Sequence, residues 1–101
     1  MRGKSRVRRT LFAAAIGAAA TIAVAVPAWA TTQFVGGGTW IYGVSYGINE
    51  SQYYHPNNWH TSSVKSDGLV DRSDCTEPGV YSDAWLWAAA YGNQAYWNNS
   101  C

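Results

Sequence analysis

Trp40-Ile41-Tyr42-Gly43-Val44-Ser45-Tyr46 is the stretch that decides the fold. Trp40, Tyr42, Val44 and Tyr46 alternate with Ile41, Gly43 and Ser45. Side chains on a strand point to opposite faces in turn, so a period of two spells an extended strand. Outward from it, Gly47 to Asn49 has turn chemistry, and Thr31 to Gly38 reads as a loose arm ending in three glycines. Trp59 to Ser66 reads as a second strand, with Trp59, Thr61, Ser63 and Lys65 on one face and His60, Ser62 and Val64 on the other. The turn before it is His55-Pro56-Asn57-Asn58, because Pro fixes φ and Asn tolerates the left-handed region. Asp67-Gly68 and Cys75-Thr76-Glu77-Pro78-Gly79 are further turn signals. Val80 to Tyr91 has two readings. Its alanines can start a helix. Read as a strand, it puts Tyr81, Asp83, Trp85, Trp87, Ala89 and Tyr91 on one face, and Ser82, Ala84, Leu86, Ala88 and Ala90 on the other. The strand reading is preferred for its glycine and aromatic company, with neither face polar, as in a strand covered on both sides or forming an interface. Gly92-Asn93 then turns the chain into Ala95-Tyr96-Trp97 as a hairpin. Short strands with regular turns make an all-β chain, a small antiparallel sandwich or barrel.

The first 30 residues differ in kind. Arg2, Lys4, Arg6, Arg8 and Arg9 precede an apolar run from Leu11 to Val26, broken by Pro27 and followed by Ala28-Trp29-Ala30. That order is a secretory signal peptide cut after Ala30. The run's 16 residues fall short of the roughly 20 that span a bilayer. The expected division is therefore 1–30 signal peptide and 31–101 one small domain, exported through the Sec machinery and trimmed by signal peptidase. The whole chain carries +1, but residues 31–101 hold only Lys65 and Arg72 against Glu50, Asp67, Asp71, Asp74, Glu77 and Asp83, a net −4.

Export decides how Cys75 and Cys101 are read. Outside the cell, two cysteines usually form a disulfide. Intermolecular pairing through the terminal Cys101 is the alternative. A bridge contributes about 3.5 kcal/mol by loop-closure entropy, which matters to a domain this small.

Charge and motif content exclude several functions. Two cations are too few to neutralise a nucleic acid backbone. No Gly-x-Ser-x-Gly motif is present, and the aspartates from 67 to 74 read as turn residues in solvent, so no catalytic residues and no enzyme activity are expected. His55 and His60 lack a third ligand for a metal. No calcium-loop spacing exists, and no cofactor is expected. What remains is aromatic: 13 Trp, Tyr and Phe lie between residues 31 and 101. A core of this size cannot bury them all. Those left at the surface suit sugar rings or a membrane boundary.

The ordered landmarks resemble the lactococcin 972 family of secreted bacteriocins. They are Gly37-Gly38-Thr39-Trp40 with Tyr42-Gly43, then Ser51-Gln52-Tyr53-Tyr54-His55, then His60-Thr61-Ser62-Ser63-Val64. Gly79-Val80-Tyr81-Ser82-Asp83-Ala84 and Asn93-Gln94-Ala95-Tyr96-Trp97 complete the set. The resemblance implies a sandwich of two three-stranded antiparallel sheets. It also implies killing of related bacteria by binding the cell-wall precursor lipid II and blocking septum formation, without pores. Dedicated immunity and transporter proteins are the expected partners. Candidate ligand-contacting residues are Trp40, Tyr42, Tyr54, His55, His60 and Trp97, each within a landmark. The cysteine pair and the acidic balance depart from the family pattern. The competing reading is a secreted, non-toxic carbohydrate-binding or cell-surface structural module, which the same aromatic excess would serve.

Overall fold

Alternation along Gly38–Ser45 (β3) puts Trp40 and Tyr42 inward, and the strands around it follow that choice. The computed structural model describes residues 24–25 and 30–101. The expected signal peptide lies outside the described residues, apart from Ala30 and a two-residue strand, Val24–Ala25 (β1). The other strands are Thr31–Val35 (β2), Ile48–Tyr54 (β4), Thr61–Ser66 (β5), Leu69–Arg72 (β6), Ser82–Trp87 (β7) and Gln94–Asn98 (β8). Two antiparallel sheets result, one in the order β2-β3-β4-β7 and the other β1-β8-β5-β6. The all-β sandwich is as expected, with four strands in the first sheet and three in the second besides the two-residue β1.

The extra strand comes from the supposed arm. Val35 pairs with Gly38 across Gly36-Gly37, whose φ values are 61° and 82°. Positive φ at both central residues is what a two-residue type I′ hairpin requires, and its twist matches that of the strands. Tyr46-Gly47 and Asp67-Gly68 join β3 to β4 and β5 to β6 in the same way. Asp67-Gly68 was legible as a turn. The other expected turn begins one residue earlier, at Tyr46, and Asn49 belongs to β4. The expected hairpin at Gly92-Asn93 does not form. β7 lies beside β4 and β8 beside β5, so residues 88–93 cross from one sheet to the other.

The space between the sheets is filled by Trp40, Tyr42, Tyr53, Val64, Ala84, Leu86 and Ala95, with Val35 and Trp97 packed at the margin. Polar residues share that space. Asn49 Nδ2 donates from β4 to Ser66 Oγ (3.0 Å), with the Gln94 carbonyl at 3.2 Å. Ser51 Oγ donates to the Tyr96 carbonyl (2.9 Å), and Ser82 Oγ lies 2.9 Å from Ser62 Oγ. Each of these bonds crosses from sheet to sheet. Buried polar groups need such partners, and here the pairing fixes how one sheet sits on the other. Asp71 belongs to this set, against the expectation of a solvated turn residue. It is buried, and its Oδ2 accepts the Trp85 N–H at 3.0 Å. The Cys75–Cys101 disulfide forms within the chain, with Cα atoms 5.9 Å apart.

Candidate functional site

The Gly36-Gly37 hairpin is the most crowded corner of the molecule. A Cβ on Gly36 would strike the Trp97 ring and lie 2.8 Å from the Tyr53 hydroxyl, and one on Gly38 would strike the Tyr54 carbonyl. Only glycine lets the hairpin lie this close. The Gly36 carbonyl is gripped from three directions. His55 Nε2 lies 3.1 Å away, Asn99 Nδ2 donates at 3.0 Å, and the Tyr53 hydroxyl is 3.2 Å away while also donating to the Val35 carbonyl at 2.8 Å. Burial pushes the Tyr53 phenol up to about 12, because its ionised form would lose its water. His55 Nδ1 accepts the N–H groups of Asn57 (3.1 Å) and Asn58 (2.9 Å), so its proton sits on Nε2 and is donated to Gly36. Asn99 is held in turn by Asn58 Nδ2 on its carbonyl (3.0 Å), and the disulfide at Cys101 fastens the tail two residues on.

In front of this corner lies an open groove of about 340 Å³, lined by Phe34, Gly37, Gly38, Thr39, Tyr54 and Pro56. It continues onto the outer face of the β2-β3-β4-β7 sheet. Strand register aligns Phe34, Thr39 and Tyr54 in one row, and the Tyr54 and Tyr81 rings extend it with centroids 5.3 Å apart. The next rows are Thr32–Ile41–Gln52–Asp83, Gly43–Glu50–Trp85 and Ser45–Ile48–Trp87. Trp85 and Trp87 meet edge to face at 5.4 Å. Phe34 is 82% exposed, Trp87 58% and Tyr81 42%. Aromatic rings thus border a strip that holds Gln52, Asp83 and Glu50. Lys65 and Arg72 stand on the outer face of the other sheet, because their neighbours Val64 and Asp71 point inward.

The corner also frames the comparison with known proteins. The lactococcin 972 bacteriocin family model matches residues 36–97, from the Gly36 hairpin to the Trp97 ring that packs on it. The chain belongs to the lactococcin 972 bacteriocin family. No curated protein and no solved structure matches it.

Within this lactococcin 972-type sandwich, the six candidate ligand residues separate into three groups. Trp40 and Tyr42 are 1% and 4% exposed and stack on each other at 3.8 Å. Trp40 Nε1 donates to Ser51 Oγ (2.9 Å), and the Tyr42 hydroxyl accepts from Gln33 Nε2 (3.1 Å). They are core residues, and the expectation that they touch a ligand does not fit their burial. His55, His60 and Trp97 brace the corner from behind. Both His60 nitrogens lie against backbone carbonyls, Nδ1 at 2.7 Å from Asn58 and Nε2 at 2.6 Å from Val80. Tyr53 sits among them, 5.7 Å from the His60 ring and 5.2 Å from that of Trp97. Tyr54 alone of the six lines the groove. Phe34, Gln52, Tyr81, Asp83, Trp85 and Trp87 were not singled out as ligand residues. The period of two along residues 81–87 was the signal for Tyr81, Asp83, Trp85 and Trp87. Among the described residues, no three His, Cys, Asp or Glu gather as a metal site.

Proposed function

We propose that this bacteriocin-family chain is exported through the Sec machinery, cut by signal peptidase after Ala30, and kills related bacteria. It does so by binding lipid II at the target membrane surface and blocking septum formation. The observation that carries this reading is the family match over residues 36–97, which includes both the corner and most of the aromatic face. Two features are consistent with it. Ala30 is exposed and Thr31 begins β2, so a cut between them leaves that strand whole. The disulfide suits an oxidising exterior. Dedicated immunity and transporter proteins would protect the producer and assist release. Nucleic acid is not a partner.

The test is to apply the secreted, oxidised product to a panel of related bacteria and titrate it with lipid II. Arrested septa and saturable binding are expected. Normal septation across the panel, with no lipid II binding, refutes the reading. The aromatic face also favours a second reading, a secreted non-toxic carbohydrate-binding or cell-surface module. Adjacent genes for a multi-pass membrane protein and a transporter ATPase favour the toxin, and their absence favours the module.

A further inference from the structure

We infer that the outer face of the β2-β3-β4-β7 sheet is a binding platform for an assembled, uncharged glycan strand several pyranose units long. This goes beyond lipid II recognition, because the ligand is the polymer and its recognition involves no phosphate.

Three observations carry it. The first is shape. Tyr81 and Trp87 lie about 20 Å apart along β7 at 3.3 Å per residue, and the row from Phe34 to Tyr81 crosses all four strands at one end. That is a track for an extended polymer rather than a cup for one sugar. The second is chemistry. Flat rings at the borders offer faces on which the C–H faces of pyranoses stack, and the strip between them holds Gln52 and Asp83 as cross-strand neighbours. The amide both donates and accepts, and the carboxylate accepts, which is the complement of ring hydroxyls and amide substituents. The third is charge. Asp83 and Glu50 share the face, while Lys65 and Arg72 stand on the opposite side of the sandwich. A phosphate is repelled here, and so is an anionic bilayer surface. A lipid-inserting face would also lack carboxylates between its aromatic rows.

The experiment uses the secreted, disulfide-bonded protein. Tryptophan fluorescence and amide NMR shifts are followed on adding N-acetylglucosamine oligomers of increasing length, with cello-oligosaccharides in parallel. Co-sedimentation is measured with insoluble peptidoglycan stripped of anionic polymers. The expected result is affinity that rises with chain length and does not change between low and high salt. Trp87→Ala and Tyr81→Ala each weaken it about tenfold, as loss of an aromatic anchor does, while Lys65→Gln leaves it unchanged. Asp83→Asn, which keeps the shape, weakens it less than either ring substitution. Absence of binding to every glycan overturns the inference. So does binding that ignores both aromatic substitutions, or a concentration-dependent dimer that buries Trp87 and Tyr81. The two proposals fail separately. Septation arrest without glycan binding removes the platform and leaves the lipid II reading. Glycan binding with normal septation does the reverse.

Discussion

The two outer faces of the sandwich are built on the same alternation and carry opposite chemistry. The four-stranded sheet presents Phe34, Tyr54, Tyr81, Trp85 and Trp87 with Glu50 and Asp83 between them. The other sheet presents Lys65 from β5, Arg72 from β6, and Gln94 and Tyr96 from β8, with Thr61 and Ser63 buried beneath them. Ser63 lies in register between Arg72 and Tyr96, and burial raises the Tyr96 phenol above its ordinary range. The difference teaches that a net charge of −4 is a poor guide to what this domain binds. Glu50 and Asp83 lie on one face and Lys65 and Arg72 on the other, and contact chemistry is set face by face.

The largest break in the comparison is Gly38→Ala. The new Cβ meets the Tyr54 carbonyl, which is backbone and cannot rotate away. Loss of the folded state, or destabilisation above about 3 kcal/mol, is expected in thermal melts. The groove end of the aromatic face should be lost with it. Gly47→Ala, at the sister hairpin, sharpens the point. Its Cβ meets nothing within 4 Å, and only the φ of 75° is strained, so about 1 kcal/mol is expected.

Replacing both cysteines by serine comes next, at about 3 kcal/mol of lost stability, read as a lower Tm. The effect should be lopsided. The tail carries Asn99 to the Gly36 carbonyl, so amide shifts should concentrate at Gly36–Thr39 and Tyr54. Lys65 and Arg72, on the other face, should keep theirs. An even spread of shifts would contradict the coupling of tail to groove.

Alkali should act through the same corner. The Tyr53 phenol is raised from 10.0 to about 12, so the fold favours its neutral form. That stabilisation is complete below pH 10 and is lost as pH rises through about 12. Tm measured against pH should fall across that window. Tyr53→Phe keeps the ring, gives up the bond to the Val35 carbonyl for about 1 kcal/mol, and should flatten the alkaline decline.

Much of this was legible in the sequence, and the gaps have physical causes. β5 was read from its Thr, Ser and Val content, and β3 and β7 showed their faces because large apolar or aromatic residues alternate in them. β4 did not, because its inward positions include Asn49 and Ser51, which look like solvent residues until another sheet supplies their partners. β6 hid for the same reason, since Asp71 is buried with the Trp85 N–H as a partner. The glycines at 36–38 looked like slack chain, although a Cβ at Gly36 or Gly38 would strike the Trp97 ring or the Tyr54 carbonyl. Gly92-Asn93 was a sound local turn signal, but sheet choice is not local. The landmark residues included core members, Trp40 and Tyr42 among them. The face that matters was visible only as a period of two at residues 81–87, without the strands that flank it.

The most direct test of the central claim, that the aromatic face binds a glycan strand, sets two double variants beside the parent protein in one peptidoglycan co-sedimentation assay. One is Trp87→Ala with Tyr81→Ala, and the other is Lys65→Gln with Arg72→Gln. All four positions are exposed; the basic substitutions should change stability by no more than about 0.5 kcal/mol each, and the aromatic ones give up the Tyr54–Tyr81 and Trp85–Trp87 ring pairs for about 1 kcal/mol each. The account predicts that the folded aromatic variant loses binding while the basic variant retains it. Full binding by the aromatic variant, or its loss in the basic one alone, would contradict the account.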